Sequence, residues 1–288
     1  MHVEWSVWTS WLVELPIEEA LDCFLSWGFA SLELSVEHFN ELLARSGEEA
    51  YLDDTESFKN RALALASRGP IDPTCLSDVE FVHAHGPFSP FNLKSPSELD
   101  KSVKIVKKWI QWCIKIPVDV LVCHPFRVEG MSEGGLEELN LSGFRALEPE
   151  ARDCGVILAV ENMGRGYGSK AVHLLRIIES CENIALCVDT GHANLEAYRG
   201  RVHDLIDEAG RWMVATHLSD NDGSSDQHLF PGRGSIGWER VFASIVAAGY
   251  EKPINLEIPG ELREYPDPQK RLEHLKHQLR LLEQRLRG

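Results

Sequence analysis

At 288 residues with 43% hydrophobic content, the chain is long enough for one large core, in the size range where barrels of strand and helix pairs form a single domain. Acidic residues outnumber basic ones 45 to 29, and the formal charge of −16 repels polyanions, so duplex DNA is a less natural partner than a small molecule. There is no run of about 18 apolar residues to span a membrane, and Met1-His2-Val3-Glu4 lacks the basic start and apolar centre of a signal peptide, so the expectation is a soluble, cytoplasmic protein.

Residues 3–8 alternate as a short strand, and Pro16 with Glu18 and Glu19 opens a helical pattern carrying Ala20, Leu21, Phe24 and Leu25. Gly28 stops that helix. Residues 30–36 make a second strand in which Glu33 is the one charged member of an apolar segment, and helical stretches follow at 36–44 and 55–66. Residues 68–77, with Gly69, Pro70 and Pro73, exceed the usual connection and suit a lid or an irregular insertion. A third strand at 81–84 runs into His85-Gly86-Pro87-Phe88, with His83 and His85 on one face. An amphipathic helix at 97–116 precedes the apolar strand 118–123, which ends in His124-Pro125-Phe126 and has the character of a strand buried on both faces.

Residues 136–154 are helical with an interruption at Gly143, and the strand 156–160 ends in Glu161-Asn162. A helix at 169–180 leads to the strand 184–188, which ends in Asp189-Thr190-Gly191-His192. A helix near 201–209, a strand at 212–218, a helix at 236–248 and a strand at 254–256 ending in Glu257 complete the series. The closing helix, 268–286, alternates Arg and Lys with Leu and reads as a solvated face. The seven cysteines (Cys23, Cys75, Cys113, Cys123, Cys154, Cys181 and Cys187) form no C-x-x-C pair and are expected to be reduced and buried.

Eight strand-then-helix units in series predict an α/β fold, a (βα)₈ TIM barrel. His85, His124, Glu161, Asp189, His217 and Glu257 each stand at the carboxyl end of an apolar strand, and a barrel gathers those ends around one mouth. Burying such groups is costly unless they pair or bind a cation, so six in register point to a metal site. The loop after His217 adds Asp220, Asp222, Asp226 and His228. Imidazole and carboxylate together suit zinc, manganese, iron or cobalt, and Asp226-x-His228 lets two side chains converge from one extended segment.

The ordered motifs H-G-P-F, C-H-P-F, V-E-N, V-D-T-G-H, T-H-L, D-x-H-x-x-P-G-x-G and L-E, over roughly residues 81–258, resemble the xylose isomerase-like barrel superfamily of sugar phosphate isomerases, epimerases and endonuclease IV. In the endonuclease IV pattern the resemblance implies three zinc ions on His85, His124, Glu161, Asp189, His192, His217, Asp226, His228 and Glu257. In the epimerase branch it implies one divalent metal on Glu161, Asp189, His217 and Glu257, with Glu161 and Glu257 also exchanging protons with the substrate through a metal-bound enediolate. One to three ions are therefore expected. The full ligand count favours the hydrolase branch; the negative charge and the form D-Q-H-L-F-P-G-R-G-S-I-G-W, which looks like a loop of isomerase-type members, oppose it. Gly223 stands six residues after His217, where well-known ketose epimerases resemble one another in placing a substrate-binding arginine, which counts against an unphosphorylated ketose. His192, Glu33, Arg127 and Arg165 are the expected substrate contacts, the two arginines for an anionic group.

The expected function is metal-dependent isomerisation or epimerisation of a small sugar, sugar phosphate or related hydroxy-carbonyl compound. The alternatives are an endonuclease IV-like phosphodiesterase and a barrel that binds metal and ligand without turnover. Substrate, metal identity and oligomeric state stay open at this level.

Overall fold

The structure, a computed structural model, describes residues 3–48, 56–71, 73–258, 265 and 267–287. In chain order it runs β1 (Trp5–Trp8), α1 (Ile17–Ser26), β2 (Ser31–Leu34), α2 (Val36–Arg45), α3 (Glu56–Ala66), β3 (Glu80–His85), α4 (Leu99–Cys113), β4 (Val120–Cys123), α5 (Glu133–Cys154) and β5 (Ile157–Glu161). It continues with α6 (Ala171–Ile178), β6 (Ile184–Asp189), α7 (Thr190–Ala193), α8 (His203–Ala209), β7 (Met213–His217), α9 (Trp238–Ala247), β8 (Ile254–Leu256) and α10 (Pro268–Arg287). Eight parallel strands follow one another around the sheet, with β8 beside β1. Closure is made at Leu218 and Leu256: Leu218 N–H donates to the Asn255 carbonyl (2.9 Å) and Glu257 N–H to the Leu218 carbonyl (3.2 Å). The fold is a TIM barrel.

Period-2 alternation decides what the barrel encloses. Val120, Val122, Ala159, Cys187 and Ala215 form a small apolar cluster of their own inside the ring, while the larger core lies between strands and helices. Two residues beyond Val122, Ala159, Cys187 and Ala215 come His124, Glu161, Asp189 and His217. The strand-end polar residues are thus the top layer of a packed barrel interior. On the opposite arc the layer beneath is polar, with His83 below His85, Asn255 below Glu257, and Glu33 at an irregularity in the β2–β3 register.

Two sequence expectations change. β2 ends at Leu34 because the hydroxyl of Ser35 accepts from His38 N–H and starts α2. Helix α5 is unbroken through Gly143, capped by Ser132 and ended by Gly155 in the left-handed conformation (φ +67). Gly143 is a packing residue, since a Cβ there would sit 2.4 Å from Phe126 Cε2. The expected lid at 68–77 contains a 3₁₀ turn, Pro73–Leu76; residue 72 within it, and residue 55 at the start of the third expected helix, lie outside the described residues. Among the cysteines only Cys113, Cys123 and Cys187 are buried, and the other four are half-buried. No described helix is long and apolar enough to cross a membrane.

The first units are tied by buried ions. The Glu41 carboxylate accepts from Arg45 (3.0 Å) and Arg61 (3.2 Å), and Arg61 also donates to the carbonyls of Val13 and Leu15. His38, fully buried in the first turn of α2, donates from Nε2 to the Leu15 carbonyl (3.2 Å). Burial, with neighbouring Arg61, pushes its imidazole down to about 3.

Two predictions follow from this packing. Gly143→Ala gains up to about 1 kcal/mol of helix propensity, but overpacking against Phe126, itself ringed by Phe91 and Phe144, costs roughly 1–3 kcal/mol; denaturant melts are expected to show net destabilisation. For His38, the folded state refuses a proton that the unfolded state accepts below its ordinary value of about 6.5. Its contribution is therefore complete above that pH and declines on acidification by about 1.4 kcal/mol per unit, roughly 2 kcal/mol by pH 5. A His38→Gln variant should show a correspondingly shallower fall of stability between pH 6.5 and 5.

Candidate metal centre

Asp189 and His217 lie side by side in the β6–β7 register, and Glu161 stands opposite Cys187 on β5. Glu257 arrives from the far side, beyond the Leu218–Leu256 closure. The result is a ring of donors: His217 Nδ1 lies 3.0 Å from Glu161 Oε1 and 3.2 Å from Glu257 Oε2, and ligand atoms of Glu161, Asp189, His217 and Glu257 all fall within 4.8 Å of one another. All four residues are buried, and Glu161 Oε2 and Asp189 Oδ2 have no hydrogen-bond partner among the described residues. A buried unpartnered polar group costs about 1–3 kcal/mol, and a charged one more. Convergence of such oxygens on one lone-pair nitrogen is a donor set that fits a divalent cation, and its mix of N and O suits zinc, manganese, iron or cobalt.

Without a cation the site balances its charge with protons. Burial opposes charge on His217, but the carboxylates of Glu33, Glu257 and Glu161 outweigh it and hold the imidazole well above its ordinary value. Burial likewise opposes ionisation of Glu161, yet His217, His124 and His85 keep that carboxyl well below the usual range. Burial pushes Asp189 up to about 8, against the pull of His192.

Above this core stand the buried His85 and a more exposed rim of His124, His192, Asp226 and His228. His124 Nε2 approaches Glu161 Oε2 at 3.0 Å without the alignment of a hydrogen bond, and His85 Nε2 lies 3.6 Å from the same oxygen. His192 Nε2 (3.2 Å) and His228 Nε2 (2.9 Å) meet one oxygen of Asp226, Oδ2. The orientation of these rings is not left to chance. His85, His192 and His228 each turn Nδ1 to a backbone carbonyl, of Gly86 (2.8 Å), Asn162 (2.9 Å) and Glu257 (3.3 Å) respectively. When neutral, a ring that donates Nδ1–H to a carbonyl presents a bare Nε2, the arrangement common in histidine ligands. Burial opposes charge on His228, but Asp226 outweighs it and holds the imidazole at about 9.

The loop that delivers Asp226 and His228 is clasped by Asp220. Its carboxylate accepts from Asn221, Gly232 and Ile236 backbone N–H and from Trp238 Nε1, and its backbone pairs with Leu229. His228 is held in a left-handed conformation (φ +46), alone among the described non-glycine residues, which costs about 1–3 kcal/mol. Gly191 is required by close approach, since a Cβ there would meet Ser219 Oγ at 2.4 Å.

All nine expected ligand positions lie at this mouth, but Asp220 does not join them, and Asp222 is exposed and accepts from Ser224. Glu33, expected to contact substrate, is fully buried beneath His217 and touches no open surface. Arg127 and Arg165 are exposed and line a side cavity of about 230 Å³ with Tyr167, Met131 and Met163. A cavity of about 640 Å³ beside Trp27 and α10 lies away from the strand ends, so volume is no guide to the chemistry. The i, i+2 spacing that sets His83 on the face of His85 in the sequence was also the available signal for Asn255, two residues before Glu257, which was passed over.

Residues 26–284 match the family model for the xylose isomerase-like TIM barrel. The chain belongs to that family. Within the xylose isomerase-like family, it is 27% identical to the Methanocaldococcus jannaschii protein MJ1311 over 190 residues, 62% of this chain and 64% of that relative's length. It is 26% identical to a probable endonuclease 4 of Thermotoga petrophila over 203 residues, 63% of this chain and 70% of the relative. Among solved structures it resembles a D-tagatose 3-epimerase-like protein (TM-score 0.69, 21% identity, 98% of this chain and 99% of the other). It also resembles the IOLI protein with a bound zinc atom (TM-score 0.74, 13% identity, 96% of each chain). At these identities the structural likeness concerns the fold.

Replacing Glu161 by Gln removes a charge at the point where most donors meet. Zinc affinity, measured by chelator competition, is expected to fall by more than the roughly 10–100-fold typical of outer-shell changes, and wild-type zinc uptake should release protons and weaken between pH 8 and 6. Unchanged zinc binding in the variant would remove Glu161 from the site.

Proposed function

We propose that this barrel is a divalent-metal-dependent isomerase or epimerase acting on a small sugar, sugar phosphate or related hydroxy-carbonyl compound. The observation that carries the reading is the buried ring of Glu161, Asp189, His217 and Glu257 at the mouth, two of whose members are glutamates that meet at His217 Nδ1. These four would hold the ion. When bound, it would polarise a substrate carbonyl and a neighbouring hydroxyl, worth several kcal/mol of charge stabilisation.

Glu161 and Glu257 are the proton-transfer pair: one carboxylate takes the proton from carbon and the other returns one. Positioned acid–base groups contribute roughly 10²–10⁴-fold. His192, reached from solvent and fixed by the Asn162 carbonyl, orients the substrate. Arg127 and Arg165, sharing one cavity next to Pro125 and Met163, suit an anionic tail such as a phosphate. A D-tagatose 3-epimerase-like neighbour supports this branch.

A second reading has its own support. His85 and His124 aim at Glu161, His192 and His228 aim at Asp226, and several curated relatives are probable endonucleases 4. That set suits a multinuclear phosphodiesterase, whereas the charge of −16 opposes binding to a duplex whose phosphates supply most of the affinity.

The two readings part in one experiment. The metal-loaded protein is incubated in D₂O with a panel of ketoses and sugar phosphates and, separately, with abasic duplex at low salt. Carbon-bound deuterium is expected in at least one sugar, reduced about 100-fold or more in Glu257→Gln, with the duplex intact. Nicking of the duplex with no deuterium in any sugar would replace the isomerase reading by the phosphodiesterase.

A further inference from the structure

We infer that Glu33 is a positioning residue for the metal centre: a buried carboxylate beneath the mouth that fixes His217 in the one tautomer able to ligate through Nδ1. The inference rests on the metal-site reading above and adds a residue outside the ligand set.

His217 Nε2 lies 3.0 Å from Glu33 Oε1, and both side chains are 0% exposed. An ionised carboxylate only accepts hydrogen bonds, and carboxylates meet both ring nitrogens. With a cation on Nδ1, beside Glu161 and Glu257, the one proton of a neutral His217 would sit on Nε2, where Glu33 accepts it. Glu33 cannot swing away, because its second oxygen accepts from Asn255 Nδ2. Asn255 is in turn held by Ser6 Oγ donating to its side-chain oxygen (3.0 Å), while its backbone N–H donates to Thr216 Oγ1 (3.0 Å).

The contrast with the other rings sharpens the point. His85, His192 and His228 are oriented by neutral backbone carbonyls; His217 is oriented by a full negative charge in the barrel interior. Elsewhere the same layer is filled by Val122, Ala159, Cys187 and Ala215. A carboxylate in that layer carries a desolvation cost of several kcal/mol, which would be shed by any apolar replacement. Its contact with His217 is what such a charge can do there: it makes the imidazole a stronger donor and completes a carboxylate–histidine–metal chain.

The test uses the full chain loaded with cobalt(II) or zinc(II). In Glu33→Gln, chelator competition is expected to show affinity lowered 10–100-fold, and the cobalt d–d spectrum should change in position or intensity, which a fold-stabilising role alone would not do. Because a buried substitution can unfold a chain, the second measurement is on the wild type: histidine ¹⁵N shifts in the zinc form should show His217 protonated on Nε2 and coordinated through Nδ1. Coordination through Nε2, or a folded Glu33→Gln with unchanged affinity and spectrum, overturns the inference while leaving the metal site intact. A wild type that binds neither metal overturns both.

Discussion

A buried imidazole with carboxylates on both of its nitrogens is the arrangement on which the mouth of this barrel depends. His217 has Glu33 on one side and Glu161 and Glu257 on the other, and Asp189 completes the ring. In a low-dielectric interior, four acidic groups around one base cannot all ionise without a counter-charge. Protons supply it in the metal-free chain, at the expense of raising His217 and Asp189 far from their ordinary values. A divalent cation would supply it directly, through Glu161 Oε2 and Asp189 Oδ2, which have no hydrogen-bond partner among the described residues. The closed barrel makes this possible, because Glu257 becomes a neighbour of His217 only through the Leu218–Leu256 seam.

Much of this was legible in the chain itself. A strand buried on both faces announces itself as a continuous apolar run, and a polar residue at its carboxyl end stands out, as His85, His124, Glu161, Asp189, His217 and Glu257 do in the sequence. The boundaries were less legible for a local reason: Ser35 ends β2 by capping α2, and capping competes with apolar patterning for the same residues. Gly143 was misread as a break because its role is set by Phe126, a residue of another segment. Glu33 was recognised as anomalous but given the wrong partner. Periodicity can say that a charge faces the barrel interior; how deep it sits depends on strand register, and β2 is irregular at that residue.

Depth is also what separates the parts of the site. The core ring is almost wholly buried, with side chains of Glu161, Asp189 and His217 at 2% exposure or less, whereas His192, His228 and Asp226 stand at 16%, 21% and 29%. Deep groups are held by the strands and by each other, so their geometry is insensitive to what the loops do. Rim groups are held by the Asp220 clasp, the Asn162 carbonyl and a left-handed His228. A barrel arranged in this way can keep one metal core and exchange its chemistry through the rim, because the groups that meet a substrate hang on loops whose anchors lie outside the core. Likeness in fold to a D-tagatose 3-epimerase-like protein and in sequence to a probable endonuclease 4 fits that division. On the proposed reading, the reaction would turn on whether Asp226, His228 and His192 act as ligands or as a polar cradle, and on what Arg127 and Arg165 meet in their side cavity.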